Sequence, residues 1–174
     1  MALVLDATVG GAAANSYLTR AEANSYFDTR LYSDAWKNAS DDKKDAALVW
    51  STRLLDRSII WNGALTSLTQ KLRWPRTGAT TLDGQLYTAN VIPDELKEAT
   101  AELALYLLRK DRTAETGREG IKSFEVASFS VEFDKQTEPE VIPDAVYQLI
   151  AHLGTLAPVG QNFSSIRSVP LART

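Results

Sequence analysis

The chain has 174 residues, with 19 Lys+Arg against 22 Asp+Glu, a formal net charge of −3 and 44% hydrophobic residues. These are the proportions of a soluble globular domain, and folding at this length buries roughly 70% of the surface the unfolded chain exposes. The absence of cysteine excludes disulfides, thiolate zinc sites and a cysteine nucleophile, and a single histidine, His152, excludes a multi-histidine metal site. A pI near 5.2 argues against a generally basic nucleic-acid binder and leaves only a local patch open. The first cation is Arg20, so residues 1–18 lack the charged start of a signal peptide, and no apolar run reaches the roughly 20 residues of a spanning helix. A soluble protein of a reducing compartment is the expectation.

In chain order, Ala2-Leu3-Val4-Leu5 reads as a short strand or an arm, and Gly10-Gly11-Ala12-Ala13 as a flexible connection. Thr19-Arg20-Ala21-Glu22 fits a capping box and predicts a short helix over 20–31 that buries Ala23, Tyr26 and Phe27. Ser40 before Asp41-Asp42 predicts the start of a second helix, over 41–60, with Ala47, Trp50 and Leu54 on its buried stripe and Asn62-Gly63 as its stop. Residues 62–92 hold no sustained period and read as a long functional or interfacial loop.

Ile92-Pro93-Asp94-Glu95 opens a third helix, over 93–110, with carboxylates at its positive end and Arg109, Lys110 and Arg112 at its negative end. Leu96, Ala99, Leu103 and Leu107 make one apolar stripe and Ala101, Leu105 and Leu108 a second, which marks a central helix or one with a partner on its second face. Period-two alternation at Phe124 and Val126, then Phe129, Val131 and Phe133, predicts a β-hairpin within 122–133 that turns at Ala127-Ser128. Val141-Ile142-Pro143-Asp144 repeats the earlier helix start and predicts a last helix over 143–154. The fold class is mainly α: a small domain of four helices with a hairpin over 1–157, then an extended C-terminal arm over 158–174.

No enzyme motif emerges. His152 sits among Leu149, Ile150 and Leu153 as a structural residue, and the acidic pairs all fall at helix starts, where capping accounts for them. Catalysis, cofactors and bound metals are therefore not expected. One basic–aromatic cluster stands out, Lys71-Leu72-Arg73-Trp74-Pro75-Arg76. Lys71, Arg73, Trp74 and Arg76 are its candidate single-strand contacts, with Trp74 stacking a base and the cations meeting phosphates. In an acidic protein with one such cluster, a Trp that plugs the core beneath solvated or paired cations is the preferred interpretation.

Ala14-Asn15-Ser16-Tyr17, Ala47 to Asp56 with Trp50, Arg73-Trp74-Pro75-Arg76 followed by Gly78, Ile92-Pro93, Ala99-Thr100, Glu102-Leu103-Ala104 and the Phe124–Phe133 hairpin occur in that order along most of the chain. Together they resemble a phage family of small head–tail connector (adaptor) proteins, whose members are often labelled DnaT-like single-stranded-DNA-binding proteins. Ala127-Ser128 stands where a Gly-Pro-like turn is usual, and the tail beyond Leu156 is the least family-defining part. The resemblance implies a structural virion protein at the head–tail interface, assembled in the host cytoplasm as a ring of twelve copies beneath the portal. Its implied partners are the portal protein, tail or nozzle proteins and further copies of itself, with genomic DNA passing through the lumen without sequence-specific binding and no membrane contact.

A ring needs a heterologous interface. Phe124, Val126, Phe129, Val131 and Phe133 offer more apolar area than two strands bury alone, and Leu105 on the second face of the 93–110 helix is their expected counterpart. The arm carries Phe163, Ile166, Val169 and Leu171 as anchors and Arg167 and Arg173 for an acidic groove, which suits docking to the portal. The DnaT-like label implies instead a replication accessory protein that binds single-stranded DNA.

Overall fold

The computed structural model describes residues 3–113, 123–126, 129–132 and 140–158. In chain order the elements are α1 (Arg20–Asp28), α2 (Asp34–Lys37), α3 (Asp41–Ser58), β1 (Ile59–Trp61), β2 (Ala64–Leu65), β3 (Arg76–Thr77), α4 (Asp94–Arg109), β4 (Ser123–Val126), β5 (Phe129–Glu132), α5 (Asp144–Ile150) and β6 (Gly154–Leu156). The protein is mainly helical, as its periodicities predict. The capping box forms as expected, with Thr19 N–H donating to Glu22 Oε2 at 2.7 Å and Glu22 N–H to Thr19 Oγ1 at 3.2 Å. Ser40 takes the N-cap position of α3 without a side-chain bond, so the dipole interaction of Asp41 and Asp42 is what favours that start. α4 and α5 both begin one residue after their proline, and Ile92 and Ile142 just before are both buried.

α4 is the centre of the structure. Its 16 residues span about 24 Å. Leu96, Ala99 and Leu103 on one side join Leu55, Trp61, Val146 and Ile150, so this cluster is closed by α3 and α5. Ala101, Ala104 and Leu105 on the other side join Leu18, Phe27, Trp36 and Leu48, a cluster closed by α1, α2 and the first half of α3. The second face is thus covered by the chain itself. Leu105, expected at a subunit interface, is fully buried, because the short helix α2, which the sequence pattern does not announce, brings Trp36 onto it.

One charge lies near this second cluster. Glu102 is buried, with Arg30 Nε 2.6 Å from one carboxylate oxygen and the Tyr26 hydroxyl donating to the same oxygen at 2.8 Å. The hydrogen bond to Glu102 raises the Arg30 guanidinium, and burial beside that carboxylate pushes the Tyr26 hydroxyl well up.

Among the described residues, three two-stranded sheets accompany the helices. β1 pairs antiparallel with β6, Ile60 opposite Thr155, which brings the chain after α5 back beside the end of α3. β2 pairs with β3, and this tiny ladder closes a long excursion between Trp61 and Ile92. Gly63 permits the closure: its φ is +74°, and a Cβ there would lie 2.3 Å from the Thr77 carbonyl oxygen. β4 and β5 form the predicted hairpin, Phe124 opposite Val131 and Val126 opposite Phe129. Its turn at 127–128, Phe133 and the arm from 159 onward lie outside the described residues. Among the described residues, the amino-terminal segment from Leu3 makes no strand. Instead the Asn15 amide donates to the Val4 carbonyl and accepts from the Asp6 N–H, each at 2.8 Å.

Because both apolar faces of α4 are enclosed, a charge placed on either has no solvent to reach. Leu103→Asp is expected to abolish cooperative folding, and Leu103→Ala to cost about 2–5 kcal/mol of stability. Thermal melts followed by circular dichroism check both, and a cooperatively melting Leu103→Asp protein would place the core elsewhere.

Candidate nucleic-acid interface

The basic–aromatic cluster at 71–76 lies on the excursion between β2 and β3. Trp74 is only 1% exposed, and its ring meets Trp61 edge to face at 6.0 Å and Tyr87 at 6.1 Å. It is a core residue and presents no face to a base. Arg76 is nearly as enclosed, at 9% exposed. Its guanidinium donates to the Asn62 and Gly63 carbonyls at 2.6 Å each, to Arg73 at 3.1 Å and to Trp61 at 3.4 Å. A planar fork with five donors is suited to tying so many carbonyls together. Burial, with Arg73 nearby, lowers its affinity for a proton.

The same loop is anchored from beneath by Asp56 of α3. Tyr17 donates its hydroxyl to Asp56 Oδ1, and the Arg73 backbone N–H donates to Oδ2 at 3.1 Å. Burial pushes the Asp56 carboxyl up to about 6, against the pull of those two hydrogen bonds. Tyr17, buried against it, is pushed well above its ordinary value. The residues Tyr17, Asp56, Arg73, Trp74 and Arg76, far apart in sequence, are therefore one internal knot. Its chemistry is that of a loop clasp. Of the four candidate contacts, Lys71 and Arg73 stay exposed, while Trp74 and Arg76 are consumed by the fold.

A different basic–aromatic surface is assembled by α3. Lys43, Ala46, Trp50, Arg53 and Arg57 recur at one helical face, and every one is exposed. Trp50, expected on the buried stripe, is 38% exposed, because the helix is rotated so that Leu48, Leu54 and Leu55 meet the core. The cue available in the sequence is the heptad spacing of Lys43, Trp50 and Arg57, which alternates with the buried positions. Arg73 adds a further exposed cation beside the last turns of α3, since its backbone is bonded to Asp56.

His152, the one histidine, has its Nε2 buried without a partner among the described residues, while its carbonyl accepts from the Asn62 amide at 3.0 Å. Among the described residues no cluster of His, Asp or Glu is placed to hold a metal ion, and no helix is long and apolar enough to cross a membrane. Of the hairpin residues expected at a subunit interface, Phe124, Val126, Phe129 and Val131 are paired as strands, while Phe133 and the expected portal-binding residues, Phe163 to Arg173, lie outside the described residues.

Against this geometry, the comparisons give one positive result. The model of the family described as "Putative DnaT-like ssDNA binding protein" matches residues 1–169. Neither the curated proteins nor the solved structures give a significant match.

The Asp56 clasp carries a pH dependence with a definite sign. Its folded value, about 6, lies above the ordinary 3.8, so the stability it contributes is full below about 3.8 and is lost as pH rises through about 6. Asp56→Asn removes this titration while keeping the Tyr17 bond available. The stability of the native protein relative to Asp56→Asn should therefore fall between about pH 4 and pH 7. Denaturant melts across that range check it, and a constant difference would mean that Asp56 does not titrate there.

Proposed function

The chain belongs to the DnaT-like single-stranded-DNA-binding family, and on that premise we propose that it binds single-stranded DNA, without catalysis, as a replication accessory protein. The family match over residues 1–169 is the observation that carries this proposal. The buried polar groups around Asp56 and Arg76 are taken up in holding a loop, so a ligand would meet the exposed cations instead. With a net charge of −3, affinity must come from a local cationic surface and must fall with salt.

A second function draws on the hairpin. β4 and β5 pair only with each other among the described residues, and two strands alone are marginal in water. A head–tail connector ring, in which the hairpin meets a neighbouring copy and the arm with Phe163, Ile166, Arg167, Val169, Leu171 and Arg173 docks on a portal, would supply the missing surface. Its partners would be the portal protein, tail or nozzle proteins and further copies.

Fluorescence anisotropy with a labelled oligothymidylate separates the two. A single-strand binder is expected to show a Kd of about 1–100 μM at physiological salt, tightening steeply as salt is lowered. Absence of binding at low salt, together with ring formation on an isolated portal seen by electron microscopy, would replace the first proposal with the second.

A further inference from the structure

We propose that the exposed face of α3 is the surface that meets single-stranded DNA, with Trp50 stacking on a base and Lys43, Arg53 and Arg57 contacting phosphates spaced along the strand. This rests on the single-strand binding proposed above and gives that function a location, which is not the Trp74 loop.

Three features of the face point to an anionic, aromatic-rich ligand. The first is charge. Among the described residues three cations form ion pairs, Arg20 with Asp45 at 3.0 Å, Arg30 with Glu102 at 2.6 Å and Lys97 with Glu22 at 2.8 Å, and scattered cations such as Lys37, Lys71 and Lys110 form none. Lys43, Arg53 and Arg57 have no such match among the described residues, and no carboxylate lies on their face between them. In a chain with more acidic than basic residues, an unmatched stripe is a local positive field.

The second feature is Trp50 itself. The other three tryptophans, Trp36, Trp61 and Trp74, are at most 7% exposed, whereas Trp50 lies in the middle of the cationic stripe at 38%. A large apolar ring held at the surface among cations is the arrangement single-strand binders use, because every base has a face to stack. The third is length. From Lys43 to Arg57 the helix rises about 21 Å, and Arg73 extends the positive surface at that end. At about 3.4 Å per nucleotide of stacked strand, this distance accommodates about six nucleotides. That is within the footprint of about 4–16 nucleotides of single-strand-binding modules.

The test is anisotropy of a labelled oligothymidylate of about 20 nucleotides, with melting curves measured for each variant. Trp50→Ala should weaken binding at least about fivefold, while Trp50→Tyr, which keeps a stacking ring, should retain most of it. Three phosphate contacts predict a slope of about −2 for log affinity against log salt, and Arg53→Gln with Arg57→Gln should reduce it to about −0.7. Lys71→Gln, on the loop, should leave the slope unchanged. If the native protein binds but the α3 variants keep its affinity and slope, the location is wrong and the function stands. If the native protein does not bind, both fall. If Trp50→Ala alters the sedimenting mass and not the binding, the face is a contact between copies, and the location is likewise overturned.

Discussion

The fold depends on one helix that cannot be solvated on either side. α4 carries leucine and alanine on two faces, and burying both demands two separate sets of partners. α3 and α5 close one side, and α1 and α2 close the other with Ala47 and Leu48 of α3. At about 25 cal/mol per Å² of apolar surface, fully burying each large side chain stabilises by about 1.5–3 kcal/mol. Leu96, Leu103 and Leu105, each with no exposed surface, are therefore worth more than any ion pair on the outside.

The second constraint is the long excursion between β1 and α4. A segment of that length without helix or sheet would leave backbone carbonyls unsatisfied wherever it turned inward. The Arg76 guanidinium answers this by bonding to the carbonyls of Trp61, Asn62, Gly63 and Arg73, while Asp56 receives the Arg73 N–H from below. The loop can then deliver Trp74 into the core. Charge and aromatic character that look like a ligand site in one dimension are here the means of folding an irregular segment.

This division of labour bears on function. A nucleic-acid contact needs cations that are free to exchange condensed counterions and a ring with an open face. Arg76 and Trp74 offer neither, since the guanidinium of the one donates to backbone carbonyls and the ring of the other is buried against Trp61 and Tyr87. The α3 stripe offers both, and it lies on a rigid helix of 18 residues packed along its opposite side, so its side chains are presented at fixed spacing.

The sequence by itself determined the helical class, the positions of α1, α3, α4 and α5, the capping box at Thr19 and the β4–β5 hairpin. Each of these follows from local chemistry: periodic burial, helix-end charge and the period-two alternation of strands. The doubly buried character of α4 was legible too, in its two stripes, although what covers the second stripe was not. The burial of Trp74 beneath its loop was also the preferred interpretation of the sequence. Only the tertiary structure decided that α2 and Trp36 cover that second stripe and close Leu105 away, that β6 returns to pair with β1, and that Trp50 stays outside while Arg76 goes in. These outcomes depend on contacts between residues distant in the chain. A stripe containing Ala47, Trp50 and Leu54 does not by itself fix the rotation of α3, and in the fold Leu54 and Leu55 join the core while Asp56 bonds to Tyr17, which leaves Trp50 outside.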